Sequence, residues 1–439
     1  MLEDHYDIII IGAGPAALMA AIESNGPSVK TLVLEKMHKP AMKLRLSGKG
    51  RCNITNDADL TEFLRHFGKN GRFLKFAFAE FFRGDLLDYF EKLGVRFKLE
   101  RGGRYFPQSN NAMEIVDVLL ERVKLHDIHI STNSEATGIA KLPDNKFSVT
   151  INKNNRKIKI KTDKVLLATG GKSYPGTGSS GAGFKLASKL GHTVTLLSPA
   201  LVPLETRGST AKKLQGLSLK NVNVTVWSGI NVGAGPRACP DPAMKKEDEL
   251  FGEMLFTHSG VSGPVILSLS RTVVNLINKN MKVSISLDLK PALEHKMLEQ
   301  RLLKEINEHS KQNIKRLLRR LLPGKLVPVF IEKLKIQETK QLNQISSEER
   351  KKLRILLKEF TLEVKGCGSF NSAIVTSGGI SIKEINPQTM ESRVVKGLYF
   401  AGEIIDIDAD TGGFNLQAAF STGWIAGMSM KEVSKRESQ

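Results

Sequence analysis

Asp7-Ile8-Ile9-Ile10-Ile11-Gly12-Ala13-Gly14-Pro15-Ala16-Ala17 is the stretch whose reading decides the fold. Its continuous apolar run is what a strand buried on both faces of a parallel sheet requires. The run ends in a Gly-x-Gly-x-x-Ala turn, and Pro15 to Glu23 then reads as a helix. Gly12 and Gly14 permit the tight turn and let backbone approach a pyrophosphate at the helix N-terminus; Ala16 and Ala17 open that helix. Thr31-Leu32-Val33-Leu34 reads as the next strand. Glu35, 23 residues after Gly12, stands where a carboxylate accepts from ribose hydroxyls, with Lys36 beside it. Strand, helix and acid in register predict a βαβ dinucleotide-binding unit.

A second element lies near the other end. Gly397-Leu398-Tyr399-Phe400-Ala401-Gly402-Glu403 reads as a strand ending on glycine. Thr411-Gly412-Gly413-Phe414-Asn415-Leu416-Gln417-Ala418 reads as a glycine turn with a helix beginning near Asn415. Such a helix start aims free N–H groups and a positive dipole end at a flavin's pyrimidine carbonyls. The first element indicates a dinucleotide; the pair indicates FAD, held by both ends of the chain.

The 439 residues suffice for two or three domains. Cys52, Cys239 and Cys367 lie far apart without a Cys-x-x-Cys, which points to a reducing compartment, no disulfide framework and no metal site. The acidic start, Met1-Leu2-Glu3-Asp4, is not a signal peptide, and no apolar run is long enough to span a bilayer. A cytoplasmic protein is expected. The net charge is +20, and between Lys290 and Lys358 there are 18 Lys/Arg against 8 Asp/Glu. That surface reads as a solvated helical face, with RNA, anionic lipid or an acidic partner as alternatives.

The expected elements in between are a helix over 75–93, a helix over 111–123, strands near 127–131, 135–140, 146–151 and 156–160, and a further strand at Val165–Leu167. Residues 199–287 read as strand-like and turn-rich, with a Gly/Pro-rich loop at 229–243. Leu, Met and Ile at helical spacing mark 292–321, with shorter helices over 325–335 and 347–359. Parallel-sheet texture returns at Ala373–Thr376. The predicted architecture is α/β: a Rossmann-like FAD domain from 1–195 and 369–439, interrupted by an insert over 196–368. The insert reads as strand-rich over 196–288 and about 360–368, with helices over 289–359.

Gly176-Thr177-Gly178-Ser179-Ser180-Gly181 imitates a second nucleotide turn, but no buried strand precedes it and no acid follows at the right distance. It reads as a decoy that lines the flavin or substrate cavity. Residues 43–53 read as a short loop with four cations (Lys43, Arg45, Lys49, Arg51), Ser47, Gly48, Gly50 and Asn53, suited to phosphate or the flavin's polar edge. Cys52 in this loop reads as a small packed residue rather than a redox thiol.

Several blocks extend this reading: Ser47–Asn56, Ala168–Pro175, Leu255–Pro264 and Ala373–Gly427. In them the chain resembles the aminoacetone-oxidase-like (BaiN/YhiN-type) FAD-binding oxidoreductases of the glutathione-reductase-like superfamily. The resemblance implies an FAD domain built from both ends and a β-barrel-like insert carrying a helical subdomain. It also implies that Gly48, Gly50, Arg51, Cys52 and Asn53 lie against the cofactor. The chain departs from the family's pattern at Lys49, usually glycine, and at Ala182, usually aspartate. The expected cofactor shell adds Lys36, Lys43, Ala136, Ala168, Thr169, Gly170, Gly402, Glu403, Asp406, Gly413, Phe414, Asn415, Leu416 and Gln417 to the residues of the first turn and loop. No context marks a covalent flavin link.

The expected chemistry is hydride transfer between flavin N5 and a small organic substrate, of amine or conjugated-carbonyl type. NAD(P)H is a candidate transient electron donor. Arg104, Tyr105, Tyr174 and His258 are candidate cavity residues; Tyr174, His258 and Arg104 are the candidates for a catalytic role. The alternative is an RNA-associated or tRNA-modifying flavoprotein using the basic helical insert.

Overall fold

A computed structural model describes residues 2–229 and 244–436. The loop read over 229–243 lies beyond Gly229 outside the described residues, and Cys239 with it. The chain divides into two compact units, Met1–Pro199 with Phe370–Gln439 and Ala200–Ser369.

The first unit is built on a seven-stranded sheet. His5–Ile11 runs parallel between Thr31–Leu34 and Arg156–Leu167, and His129–Ser131 extends the parallel side. Ile8, Ile9 and Ile10 are fully buried, as a central strand covered on both faces demands. Each such side chain contributes about 1.5–3 kcal/mol by leaving water. Leu398–Phe400, from the far end of the chain, pairs parallel with Val165–Leu167. Two antiparallel strands, Phe147–Lys153 and Ser134–Lys141, complete the other side. The pieces read separately at 156–160 and 165–167 form one strand, whose first half pairs with 147–153 and whose second half pairs with the first strand. Ala373–Thr376 does not enter this sheet; Val375–Ser377 belongs to a separate two-stranded one.

The first helix (Pro15–Glu23) and the C-terminal helix (Phe414–Arg436) pack tightly enough that side chains would obstruct them. A Cβ on Gly423 would lie 2.3 Å from the Ala16 carbonyl oxygen, and one on Gly427 would lie 2.7 Å from that of Ala20. The two ends of the chain thus close against one another through glycine on one helix and alanine on the other. The helix expected over 75–93 breaks into Lys75–Glu80 and Arg83–Glu91. Phe81 is extended there, stacks on Trp424 at 5.4 Å between centroids, and accepts a hydrogen bond from the Ser421 hydroxyl at 2.7 Å. Contact with the C-terminal helix outweighs local helical continuity.

The second unit contains a closed six-stranded antiparallel barrel. Leu204–Thr206 closes it by pairing with both Gly260–Ser262 and Phe360–Cys367. Within the region read as strand-like stands a 15-residue helix, Pro264–Asn278. Its buried Val265, Ile266, Leu269, Val273 and Leu276 have helical spacing and Pro264 occupies the first turn, so the signal was present but masked by β-branched composition. The segment between the last two barrel strands forms helices His295–Glu308, Ile314–Leu321, Leu326–Leu334 and Ser347–Lys358. Their apolar faces share one core with the barrel, Leu298 and Leu318 joining Ile285 and Phe360.

Candidate cofactor site

At the end of the first strand, Gly12 adopts φ +104°, and a Cβ there would come within 2.4 Å of the Ala168 carbonyl oxygen. Only glycine fits that approach. A Cβ on Gly14 would meet nothing within 4 Å, so the space ahead of the first helix is open. The first-turn N–H groups, Ala16 and Ala17 among them, have no partner within the helix. Glu35 anchors the other side of the turn, accepting from Ala13 N–H at 2.9 Å and Met37 N–H at 2.8 Å. Burial raises its carboxyl above the usual range, against the lowering effect of those N–H groups. Ser134 N–H donates to the Glu35 carbonyl at 2.9 Å, which sets Ala136, buried two residues on, along the same edge.

The decoy segment folds back onto this corner. Lys36 Nζ donates to Ser180 Oγ at 2.7 Å, and a Cβ on Gly178 would lie 3.0 Å from Met37 Cγ. It is a cover for the end of the second strand rather than a second nucleotide turn.

Residues 43–53 begin as helix, not loop: Met42–Gly50 is helical until Ser47, then turns left-handed. Gly48, Lys49, Gly50 and Cys52 have φ of +57°, +60°, +82° and +60°. Lys49 thus holds a conformation that glycine adopts freely. Three of the four cations are committed. Lys43 pairs with Glu403, Arg45 donates to Pro40 O at 3.2 Å, and Arg51 pairs with Glu100 at 3.0 Å with its guanidinium 4.0 Å from the Phe106 ring centroid. Cys52 is fully buried, and burial pushes its thiol up to about 12. It is a packed residue, closed to solvent. The Asn53 side-chain oxygen is buried without a hydrogen-bond partner among the described residues.

Glu403 ties four segments together. It accepts from Lys43 Nζ at 2.7 Å, Ser173 Oγ at 2.9 Å and Thr376 N–H at 2.9 Å, while Lys43 also donates to Ser173 Oγ at 2.7 Å. Thr376 Oγ1 accepts from Lys172 N–H at 2.7 Å and Ser173 N–H at 3.0 Å. Burial alone would raise the Glu403 carboxyl, but the Lys43 ammonium and these hydrogen bonds hold it below the usual range. Ser173 and Thr376 lie within the family-like blocks but are not marked there as site residues; only the fold brings them to Glu403. Gly170 joins the same corner, where a Cβ would meet Ser179 Oγ at 2.9 Å. A Cβ on the neighbouring Gly183 would lie 2.0 Å from Thr169 Oγ1.

The C-terminal turn is held as firmly. Gly413 has φ +102°, and a Cβ there would lie 2.4 Å from the Thr55 carbonyl oxygen. Thr55 Oγ1 donates to Gln417 Oε1 at 2.6 Å, and Gln417 Nε2 donates to Ser421 Oγ at 3.0 Å. Asn415 clamps the preceding strand-like segment, accepting from Ala409 N–H and donating to Ala409 O, both at 2.9 Å. Asn56, which sequence reasoning missed, donates to Gly412 O at 2.9 Å. Phe414 stacks on His66 at 3.9 Å and meets Phe63 edge-on at 4.7 Å, so its ring is core. The side chains of Asn415 and Gln417 are likewise committed within the protein. What this turn offers a ligand is backbone N–H of the helix start, Leu416 included. Gly402, at φ +74°, sits over Ala16, a Cβ there falling 2.9 Å from the Ala16 Cβ. Asp406 is raised by burial, opposed by Thr195, Asn70 and Lys69.

A profile described as HI0933-like protein Rossmann domain matches residues 6–429. The chain belongs to the HI0933-like family. Members of this family are FAD-dependent oxidoreductases of the BaiN/YhiN type, and this chain is one of them. It is similar to a 3-dehydro-bile acid delta(4,6)-reductase of Clostridium scindens, 28% identical over 96% of this chain and 98% of the relative. It is also similar to a ribosomal RNA dihydrouridine synthase of Escherichia coli, 31% identical over 96% of this chain and 97% of the relative. Among solved structures, the open conformation of a flavocytochrome c3 fumarate reductase shares the fold, with a TM-score of 0.52 at 14% identity, covering 98% of this chain and 78% of that one. The family's cofactor fits the residues present. A Cβ on Gly14 would meet nothing within 4 Å, and the first-turn N–H groups of two helices have no partner within their helices, as an anionic pyrophosphate and a flavin edge would need.

The candidate catalytic residues are distributed over both units. Tyr174, at φ +52° and ψ +59°, is a left-handed non-glycine residue whose carbonyl accepts from Thr177 N–H at 2.8 Å. Arg104 Nε donates to Arg101 O at 3.0 Å, and Tyr105 Oη donates to Asp57 at 3.1 Å. His258 belongs to the second unit, exposed in the turn between Lys245–Phe256 and Gly260–Ser262. Among the described residues no helix is long and apolar enough to cross a membrane.

Proposed function

We propose that this chain reduces a carbon–carbon double bond conjugated to a carbonyl. The observation that carries the reading is one cofactor cradle on a family whose two named relatives imply the same bond chemistry. A delta(4) bond beside a 3-keto group and the uracil C5–C6 bond beside its C4 carbonyl are both electron-poor alkenes. Each accepts a hydride at the carbon β to the carbonyl and a proton at the α carbon. Bound FAD, once reduced by a donor of the NAD(P)H class, would supply the hydride from N5, and solvent would supply the proton.

In this reading Glu35 holds ribose hydroxyls, while Gly12, Gly14 and the first helix start hold the pyrophosphate. The segment from Gly48 to Asn53, with the helix start after Gly413, would lie against the ring. The Lys43–Glu403 pair positions the segments around the pyrophosphate and does not itself react. The surplus of 65 Lys/Arg over 45 Asp/Glu favours a polyanionic substrate, so a uracil ring within RNA is the preferred choice over a free steroid-like enone.

The test is anaerobic. The protein is reduced with NADPH and mixed separately with a ribosomal RNA transcript and with a 3-keto-Δ4 steroid, and flavin reoxidation is followed. Reoxidation by either alkene, with the saturated product found by mass spectrometry, supports the reading. Reoxidation by oxygen alone, with neither alkene consumed, overturns it.

A further inference from the structure

We propose that the helix Ile314–Leu321 is the element that grips an RNA sugar–phosphate backbone. This rests on the preceding reading, in which the reduced ring is part of RNA. The helix divides cleanly: Ile314, Leu317, Leu318 and Leu321 are buried, and the other four residues are Lys315, Arg316, Arg319 and Arg320. It carries no acid. Lys315 pairs with Glu338 at 2.8 Å and Arg320 with Glu305 at 2.8 Å. Arg316 and Arg319 are exposed and, among the described residues, pair with no acid, as does Lys311 just ahead of them.

The platform is rigid. Its four apolar residues lie in the core of the second unit, and Asn313 caps the helix by accepting from Arg316 N–H at 3.1 Å. Two guanidinium groups therefore project from a fixed surface about one helical turn apart. Guanidinium forks match phosphate oxygens in pairs. The face offers nothing to other anionic partners. A membrane-binding helix inserts apolar side chains, and a protein interface needs an apolar centre; every apolar residue of this helix is already buried. A phosphodiester chain needs only fixed cations within reach.

The test measures equilibrium binding of the FAD-loaded protein to a ribosomal RNA transcript over a salt series. The charge reversal Arg316→Glu with Arg319→Glu is expected to weaken binding by about tenfold or more and to flatten the log–log salt slope by about 1.4. Arg316→Lys with Arg319→Lys keeps most of the affinity. Lys157→Glu with Lys159→Glu, an equal charge change on exposed residues of the first unit, leaves binding within about twofold. Flavin content and the melting midpoint of each variant establish that it is folded.

Wild-type affinity in the helix double reversal, or an equal loss in the first-unit control, overturns the inference. If the wild-type protein fails to bind RNA at low salt yet reduces an enone, the docking inference falls while the reductase reading stands. If binding depends on Arg316 and Arg319 but no alkene is reduced, the docking inference stands and the reductase reading falls.

Discussion

Lys49 shows how one residue can depart from a family's habit and still accept its backbone. At φ +60° its Cβ is strained, by about 1 kcal/mol relative to glycine. Glycine loses part of that advantage through a more flexible unfolded chain, roughly 0.5 kcal/mol. Lys49→Gly should therefore stabilise the protein by about 0.5 kcal/mol in urea unfolding, whereas the β-branched Lys49→Val should destabilise it by more than about 1 kcal/mol. Cys52 makes a simpler case. With its thiol raised to about 12, it should remain unlabelled by iodoacetamide in the folded protein at pH 8 and react only on unfolding. Glu403 gives the pH dependence. Its folded pKa lies below the ordinary 4.5, so its stabilisation is present above that value and is lost as pH falls through the lowered one. Replacing its cation leaves a largely buried carboxylate unpaired. Lys43→Met should cost about 2–3 kcal/mol at neutral pH, and its stability should fall less on acidification than that of the wild type. Denaturant midpoints measured from pH 6 to pH 3 check both.

Individual elements followed their sequence signals where local pattern and burial agreed. The first strand, its glycine turn and the following helix were legible because apolar continuity, tight-turn glycines and Pro15 all specify the same backbone. The helix over 75–93 was not, since its break at Phe81 depends on Trp424 and Ser421, more than 300 residues away in sequence. The helix Pro264–Asn278 was hidden by valine and isoleucine, whose strand preference yields to barrel packing. The glycines of the C-terminal helix carry the clearest element-level prediction. Gly423→Ala would force a methyl group against the Ala16 carbonyl, a backbone atom that cannot swing aside. It should destabilise the protein by about 3 kcal/mol and lower bound flavin. Wild-type stability and flavin content in that variant would mean that the two helices are not so closely packed.

At the scale of the whole molecule, the cofactor's domain is assembled from sequence ends that meet only after folding. Removing residues 398–439 takes away the strand beside Val165–Leu167, Glu403 and the helix that covers the first one. The truncated chain should purify without flavin, read directly from its visible spectrum. By itself the sequence determined the nucleotide-binding unit, the second glycine turn, a strand-rich insert and the excess of positive charge. These rest on local constraints: a turn that admits only glycine, an apolar run that must be buried, a count of charges. The tertiary structure alone decided which polar groups meet. Ser173, Thr376 and Lys43 converge on Glu403, and Asn56 and Thr55 brace the C-terminal turn, although nothing in the sequence says which of them pair. Hydrogen bonds and ion pairs act over a few ångströms of space, and separation along the chain carries no trace of them.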